Sequence, residues 1–357
     1  MKNPWPSQLL AVMRLELTKT FLARRGLWVY LLAFAPVLLF AAHSIIAPRS
    51  QARLARVGAA HPTPTQVLRS IKVGATREEV EEKAGAPYSE RTGRLSTEGV
   101  RGDALYKYTD GRSDFSFLFE KGKVKFVRRV DPESLAQGSL IFAASFQTYF
   151  LRLAIFFGCV GIFTNLFRGE MLDKSLHFYL LTPMRREVLL AGKYLTGLLA
   201  TVVIFTASAA LQLTIMLSEY DHSSLADYLG GPGPGQILSY LAVTVLACVG
   251  YGSVFVAAGM FFRNPIIPTA IVLIWEGINV FLPAILKKIS LIFYLQSLCP
   301  VVAQPDVKVP VAWKLLMSTT EPVAPAAAVL GILVFTLLVL VAAAVRVRKL
   351  EINYSSD

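Results

Sequence analysis

Six windows of mostly apolar residues, at 26–46, 139–166, 191–217, 236–262, 265–286 and 323–345, constrain this chain more than any other feature. A helix needs roughly 20 apolar residues to cross a bilayer. Inside hydrocarbon, only helices and closed barrels satisfy their own backbone. The composition of the whole chain, 54% hydrophobic and 17% charged, agrees with this reading. The first window is of full span length and follows 25 polar-amphipathic residues, which predicts a retained span and not a cleaved leader.

The net charge of +12 lies between these windows and does not call for nucleic acid. If the N-terminus is cytoplasmic, the inner segments carry fourteen Lys/Arg, among them Arg14, Lys19, Arg168, Lys174, Arg185, Arg186, Lys193, Arg346 and Arg348. The two short outer loops carry four, Lys287, Lys288, Lys308 and Lys314. This bias predicts both termini inside. The seventeen in 47–138 do not vote, because long segments cross largely regardless of charge. Cys159, Cys248 and Cys299 form no disulfide or metal-binding pattern.

Residues 1–25 read as an interfacial helix, with Leu9, Leu10, Met13, Leu17 and Phe21 at helical spacing and Ser7 as N-cap. Residues 47–138 read as a small α+β extracytoplasmic domain with tethers, inserted between spans 1 and 2. Thr76 and Glu79 form a capping box, and Gly85 and Pro87 close that helix. Tyr106 and Tyr108, then Phe115, Phe117 and Phe119, then Val124, Phe126 and, after a slip, Val130 alternate as strands, with a turn at Lys121-Gly122. GGPGPG at 230–235 reads as a flexible end to the outer loop 218–235, and Asn264-Pro265 as a tight inner turn. In the outer segment 287–322, residues up to Pro300 read as one or two half-inserted helices. Residues 346–357 form a cytoplasmic tail.

Two features carry candidate function. The segment 167–190 holds a polar stripe of Glu170, Asp173, Lys174 and His177, backed by Leu172, Leu176, Tyr179 and Leu180. Thr182 and Pro183 then start a new helix, whose first residues, Arg185 and Arg186, oppose its dipole and call for an acidic partner or headgroups. The second feature is a set of intramembrane polar residues. Arg152 and Glu276 are costly in a bilayer and are expected to face the bundle interior. They either face each other or form two separate hydrogen-bonding sites with Asn279 or Tyr251.

Glu170, Ser175-Leu176, Leu180, Leu181, Pro183, Arg186, Glu187, Gly192 and Lys193 resemble the first inner loop of the ABC-2 family of ABC transporter permeases. Lys174 departs from that pattern, in which a glycine is usual. Within 47–138, Ile71, Gly74, Thr76, Glu79, Val80, Gly85, Pro87, Gly122, Lys123 and Val124 resemble the SmpA or BamE-like domain, which implies a protein–protein contact in the envelope.

The expectation is an all-α polytopic protein of the bacterial inner membrane, with six transmembrane helices. The ABC-2 resemblance implies a permease subunit that exports an unidentified cargo as a dimer, with a second copy or a paralogue. It also implies a separate ATPase subunit that binds ATP and Mg and pushes on 167–190 through Glu170, Asp173, Lys174, His177, Pro183, Arg185 and Arg186. The chain has no P-loop and no HExxH, so no catalytic residue, cofactor or metal is expected in it. The Leu/Val/Phe-rich spans tilt the cargo toward lipid-like or amphipathic molecules. The alternative is a membrane-anchored envelope scaffold or sensor acting through the outer domain.

Overall fold

The computed structural model describes residues 5–22, 27–61, 63–172, 185–262, 264–279, 282–301 and 323–348. They fall into two compact units, one of residues up to Phe40 and from Leu135 onward, the other Ala41–Ser134.

The first unit is helical. It holds α1 (Trp5–Leu22), the first part of α2 (Leu27–Ala60), α5 (Leu135–Ser145), a π-helical segment (Phe146–Ile155) and α6 (Phe156–Leu172). After these come α7 (Arg186–Leu217), α8 (His222–Gly230), α9 (Gly233–Phe261), α10 (Ile266–Ile278), α11 (Ala284–Lys287), α12 (Leu291–Ser297) and α13 (Pro325–Arg348). Among the described residues, five helices are long and apolar enough to cross a membrane: Leu27–Ala60, Leu135–Phe167, Arg186–Leu217, Gly233–Phe261 and Pro325–Arg348. The fifth expected window differs. Its helix α10 has 13 residues, about 20 Å at 1.5 Å per residue, against a hydrocarbon core of about 30 Å. Pro283 follows and starts α11.

Other boundaries move for identifiable reasons. Span one was expected to end at 46, but α2 continues through Pro48 to Ala60. GGPGPG is not all linker: α9 begins at Gly233, because a proline in a first helical turn costs no hydrogen bond. Asn264 accepts from the Ile266 N–H at 3.0 Å at the expected turn.

Glycine notches bring the helices together. The Phe163 ring of α6 lies where Cβ atoms on Gly197 of α7 and Gly252 of α9 would stand, 2.7 and 2.5 Å away. In α2, Pro36 has no N–H, so the Leu32 carbonyl lacks its helical donor. The Tyr149 hydroxyl donates to it at 3.3 Å, and Ser208 donates to the adjacent Ala33 carbonyl at 2.5 Å. A polar side chain from each of two neighbouring segments thereby holds the helix at its proline.

The second unit is a four-stranded antiparallel sheet in the order β1 (Ser89–Thr97), β2 (Val100–Thr109), β3 (Asp114–Glu120), β4 (Lys123–Val130). Its helices α3 (Thr65–Ser70) and α4 (Arg77–Ala84) share a core with one sheet face through Leu68, Val80, Tyr106, Phe117 and Phe119. The capping box forms, with Glu79 N–H on Thr76 Oγ1 at 3.3 Å and Thr76 N–H on Glu79 Oε2 at 3.0 Å. Gly85, with φ of 75°, follows α4. Lys121 and Gly122 both have positive φ in the β3–β4 turn.

One strand carries no sequence signal, and one sequence expectation fails here. SERTGRLST has no apolar alternation and was not read as a strand, yet it pairs along β2. Phe126 does not share the face of Val124. The register shifts by one between Phe119↔Val124 and Leu118↔Phe126, a bulge at Lys125. Phe126 therefore lies opposite Leu118, and Val127 packs against the core instead.

Candidate functional site

The helical unit holds two buried polar clusters. The first surrounds the start of α7, where the charged segment of the sequence ends. Asp173, Lys174, His177 and Pro183 lie outside the described residues, and Glu170 falls in the last turn of α6. Arg185 and Arg186, expected to call for an acidic partner or headgroups, meet an aromatic ring and a main-chain carbonyl. The Arg185 guanidinium lies 4.9 Å over the Trp5 ring of α1. Arg186 donates to the Arg348 carbonyl at 3.0 Å. Arg348 is the last residue of α13, so a C-terminal carbonyl at the negative end of one helix answers a cation at the positive start of another. Arg348 in turn pairs with Glu187, in the first turn of α7.

About two α7 turns further in sits Lys193, quoted in the family pattern but not expected to be buried. It has no exposed surface and donates to Glu16 Oε1 of α1 at 2.8 Å and to the Leu166 carbonyl of α6 at 2.7 Å. Its ammonium is also 5.4 Å from the Phe167 ring. Gly192 makes this approach possible: a Cβ there would stand 2.7 Å from Val12 Cγ1. The protein-facing stripe of α1 is thus Leu9, Val12, Met13 and Glu16, while Leu10, expected on it, is 69% exposed. Glu16 was missed. Its signal was a carboxylate four residues after Val12 in an apolar stripe, but only packing supplies the cation, 177 residues away.

The second cluster joins the π-helical segment to α10 and α12. Both Arg152 and Glu276 are buried, as their cost in a bilayer predicts. The π-helical geometry, rare and common at functional sites, sets Gln147 on the Val301 carbonyl at 2.8 Å and Arg152 on Gln296 Oε1 at 3.4 Å. Arg152 also reaches Glu276, but its other bond goes to the Glu276 main-chain carbonyl at 3.3 Å. The Glu276 carboxylate is occupied by the start of α12. It accepts from the Ser290 hydroxyl at 2.7 Å and from the Leu291 and Ile292 amides at 3.0 and 2.9 Å. Glu276 is thus a cap supplied from 14 residues away to a helix start that would otherwise bury free N–H groups. Asn279, also fully buried, donates to the Lys287 carbonyl at 3.5 Å. Ser290 and Gln296 were missed, since neither stands out in an apolar amphipathic run.

Neither cluster holds an arrangement of nucleophile, base and oxyanion donors. Among the described residues, no group of three His, Cys, Asp or Glu could hold a metal ion. Compared with protein-family models, curated proteins and solved structures, the chain matches none.

Proposed function

We propose that this chain is the transmembrane permease subunit of an ABC transporter of the ABC-2 type, working as a dimer with a second copy or a paralogue and exporting its cargo. The carrying observation is the anchored base under the charged segment. The helix that follows this segment is tied at its start to α1 by Lys193–Glu16, to α6 by Lys193 and the Leu166 carbonyl, and to α13 by Arg186 and Arg348. A push on residues 173–184 would therefore reach three other helices and not dissipate in a free hairpin. In this reading both termini and the charged segment are cytoplasmic, and a partner ATPase binds ATP and Mg and contacts Glu170 to Arg186. Arg152 and Glu276, buried within the bundle, set its shape and do not meet the partner.

The test is ATP hydrolysis that co-purifies with the full-length chain and is lost on Arg186→Glu or Glu170→Lys. Labelling of thiols introduced at 168–190 by an impermeant reagent from the extracytoplasmic face would overturn the reading. The separately cored Ala41–Ser134 unit favours a second reading, an envelope scaffold or sensor. That reading gains if deleting the unit abolishes activity in cells while the co-purifying hydrolysis is unchanged.

A further inference from the structure

We infer that the free edge of β1 is a docking surface for an extended, acidic polypeptide segment, which adds to the sheet as a fifth strand. This docking deepens the scaffold or sensor reading of the Ala41–Ser134 unit and does not depend on the permease reading.

The sheet runs in the order β1-β2-β3-β4, so β1 and β4 are its edges. The two edges differ. At β4, the chain just before α4 lies alongside. The Gly74 amide donates to the Val124 carbonyl at 2.7 Å, and the Val124 amide donates to the Ala75 carbonyl at 2.9 Å. The bonds of β1 run to β2, and among the described residues no backbone group pairs with its outward amides and carbonyls. Residues 90–94 of β1 are all exposed. A row of unpaired backbone donors and acceptors is a template for another chain. It suits a polypeptide better than any other polyanion, because only another backbone alternates the same groups at the same spacing.

Charge then selects among chains. Of the Lys and Arg in the four strands, Lys107, Lys125, Arg128 and Arg129 each have a carboxylate within 3.8 Å. Lys123, at the start of β4, has none among the described residues, and neither do Arg91, Arg94 and Arg101. Arg91 and Arg94 belong to β1, and Arg101 lies opposite its Ser96. The one carboxylate in β1 is Glu90. Two copies of this strand side by side would bring like charges together, so the edge resists pairing with itself. A strand carrying Glu or Asp meets opposite charge along the same edge.

The test uses the full-length chain in nanodiscs of zwitterionic lipid and three labelled nine-residue peptides. One alternates Glu and Val, the second has Lys for Glu, and the third is the acidic peptide with two valines replaced by proline. Fluorescence anisotropy should show binding of the first peptide alone, and amide exchange should slow across β1 but not across β4. The triple variant Arg91→Glu, Arg94→Glu, Arg101→Glu should weaken binding by at least about tenfold, with β3 exchange at its wild-type rate. If that variant loosens β3, Arg91→Gln with Arg94→Gln decides, and unchanged binding overturns the inference. Absence of binding, equal binding of the lysine or proline peptide, or binding without slowed β1 exchange also overturns it. So do vesicles of anionic lipid that protect β1 as well as the acidic peptide does, since the surface is then a lipid contact. Loss of cellular activity on deleting the unit, with no peptide bound by the intact chain, strikes this docking alone and leaves the scaffold or sensor reading standing.

Discussion

Replacing Glu276 tests whether the second cluster is a cap or an ion pair. Its carboxylate accepts three hydrogen bonds, from the Ser290 hydroxyl and from the Leu291 and Ile292 amides. Glu276→Leu leaves these three donors buried without partners. Each orphaned donor costs about 1–3 kcal/mol. A denatured state that stays in the membrane recovers part of that by finding other partners. The expected loss is therefore about 4 kcal/mol. Glu276→Gln keeps one acceptor oxygen, which can serve Ser290 and Ile292, but turns an NH2 group toward the Leu291 amide. Its loss should be about 2 kcal/mol. The readout is unfolding followed by a fluorogenic maleimide, because Cys159, Cys248 and Cys299 are all buried thiols. Cys299 lies two residues beyond α12 and should label first in both variants. Losses below about 0.5 kcal/mol in both variants would refute the cap, since a side chain held by three bonds cannot be that cheap to remove.

Other outcomes follow from the same geometry. Arg152→Lys should destabilise by about 1–2 kcal/mol in the same assay, because a single ammonium cannot copy a planar fork that reaches Glu276 and Gln296 at once. Gly58→Ala should loosen the end of α2 by about 1–3 kcal/mol, seen as faster exchange over 52–60: its Cβ would stand 2.4 Å from the Gly111 Cα, and backbone cannot yield as a side chain does. Thr76→Ala should cost about 1 kcal/mol, measured as lost exchange protection in α4, because one half of the capping box goes. Burial of Asp110 favours its neutral form, but hydrogen bonds from the Thr65 hydroxyl and the Ser113 and Arg112 amides outweigh that and hold the carboxyl below its usual 3.8. A depressed folded-state pKa adds stability above the unfolded value, and that stability is lost as pH falls through the folded one. Circular dichroism melts of an Ala41–Ser134 fragment should lose stability below about pH 4, and Asp110→Asn should remove that part of the loss.

Short-range chemistry was legible in the sequence. Apolar run length located five membrane-competent helices, because the cost of dry backbone depends on the local run alone. The Thr76–Glu79 box and the Lys121-Gly122 turn were readable for the same reason: each is closed within four residues. Packing decided the rest. It paired SERTGRLST with β2 and moved the β4 face through one extra residue at Lys125. Burial alone told the sequence that Arg152 and Glu276 must face inward, but not that the carboxylate would cap a helix start at Ser290 while the guanidinium took a carbonyl. Lys193 and Glu16 are the extreme case. Neither has a reason to be buried until α1 lies in the Gly192 notch, and a charge's environment is set by what folds around it, not by its neighbours in the chain.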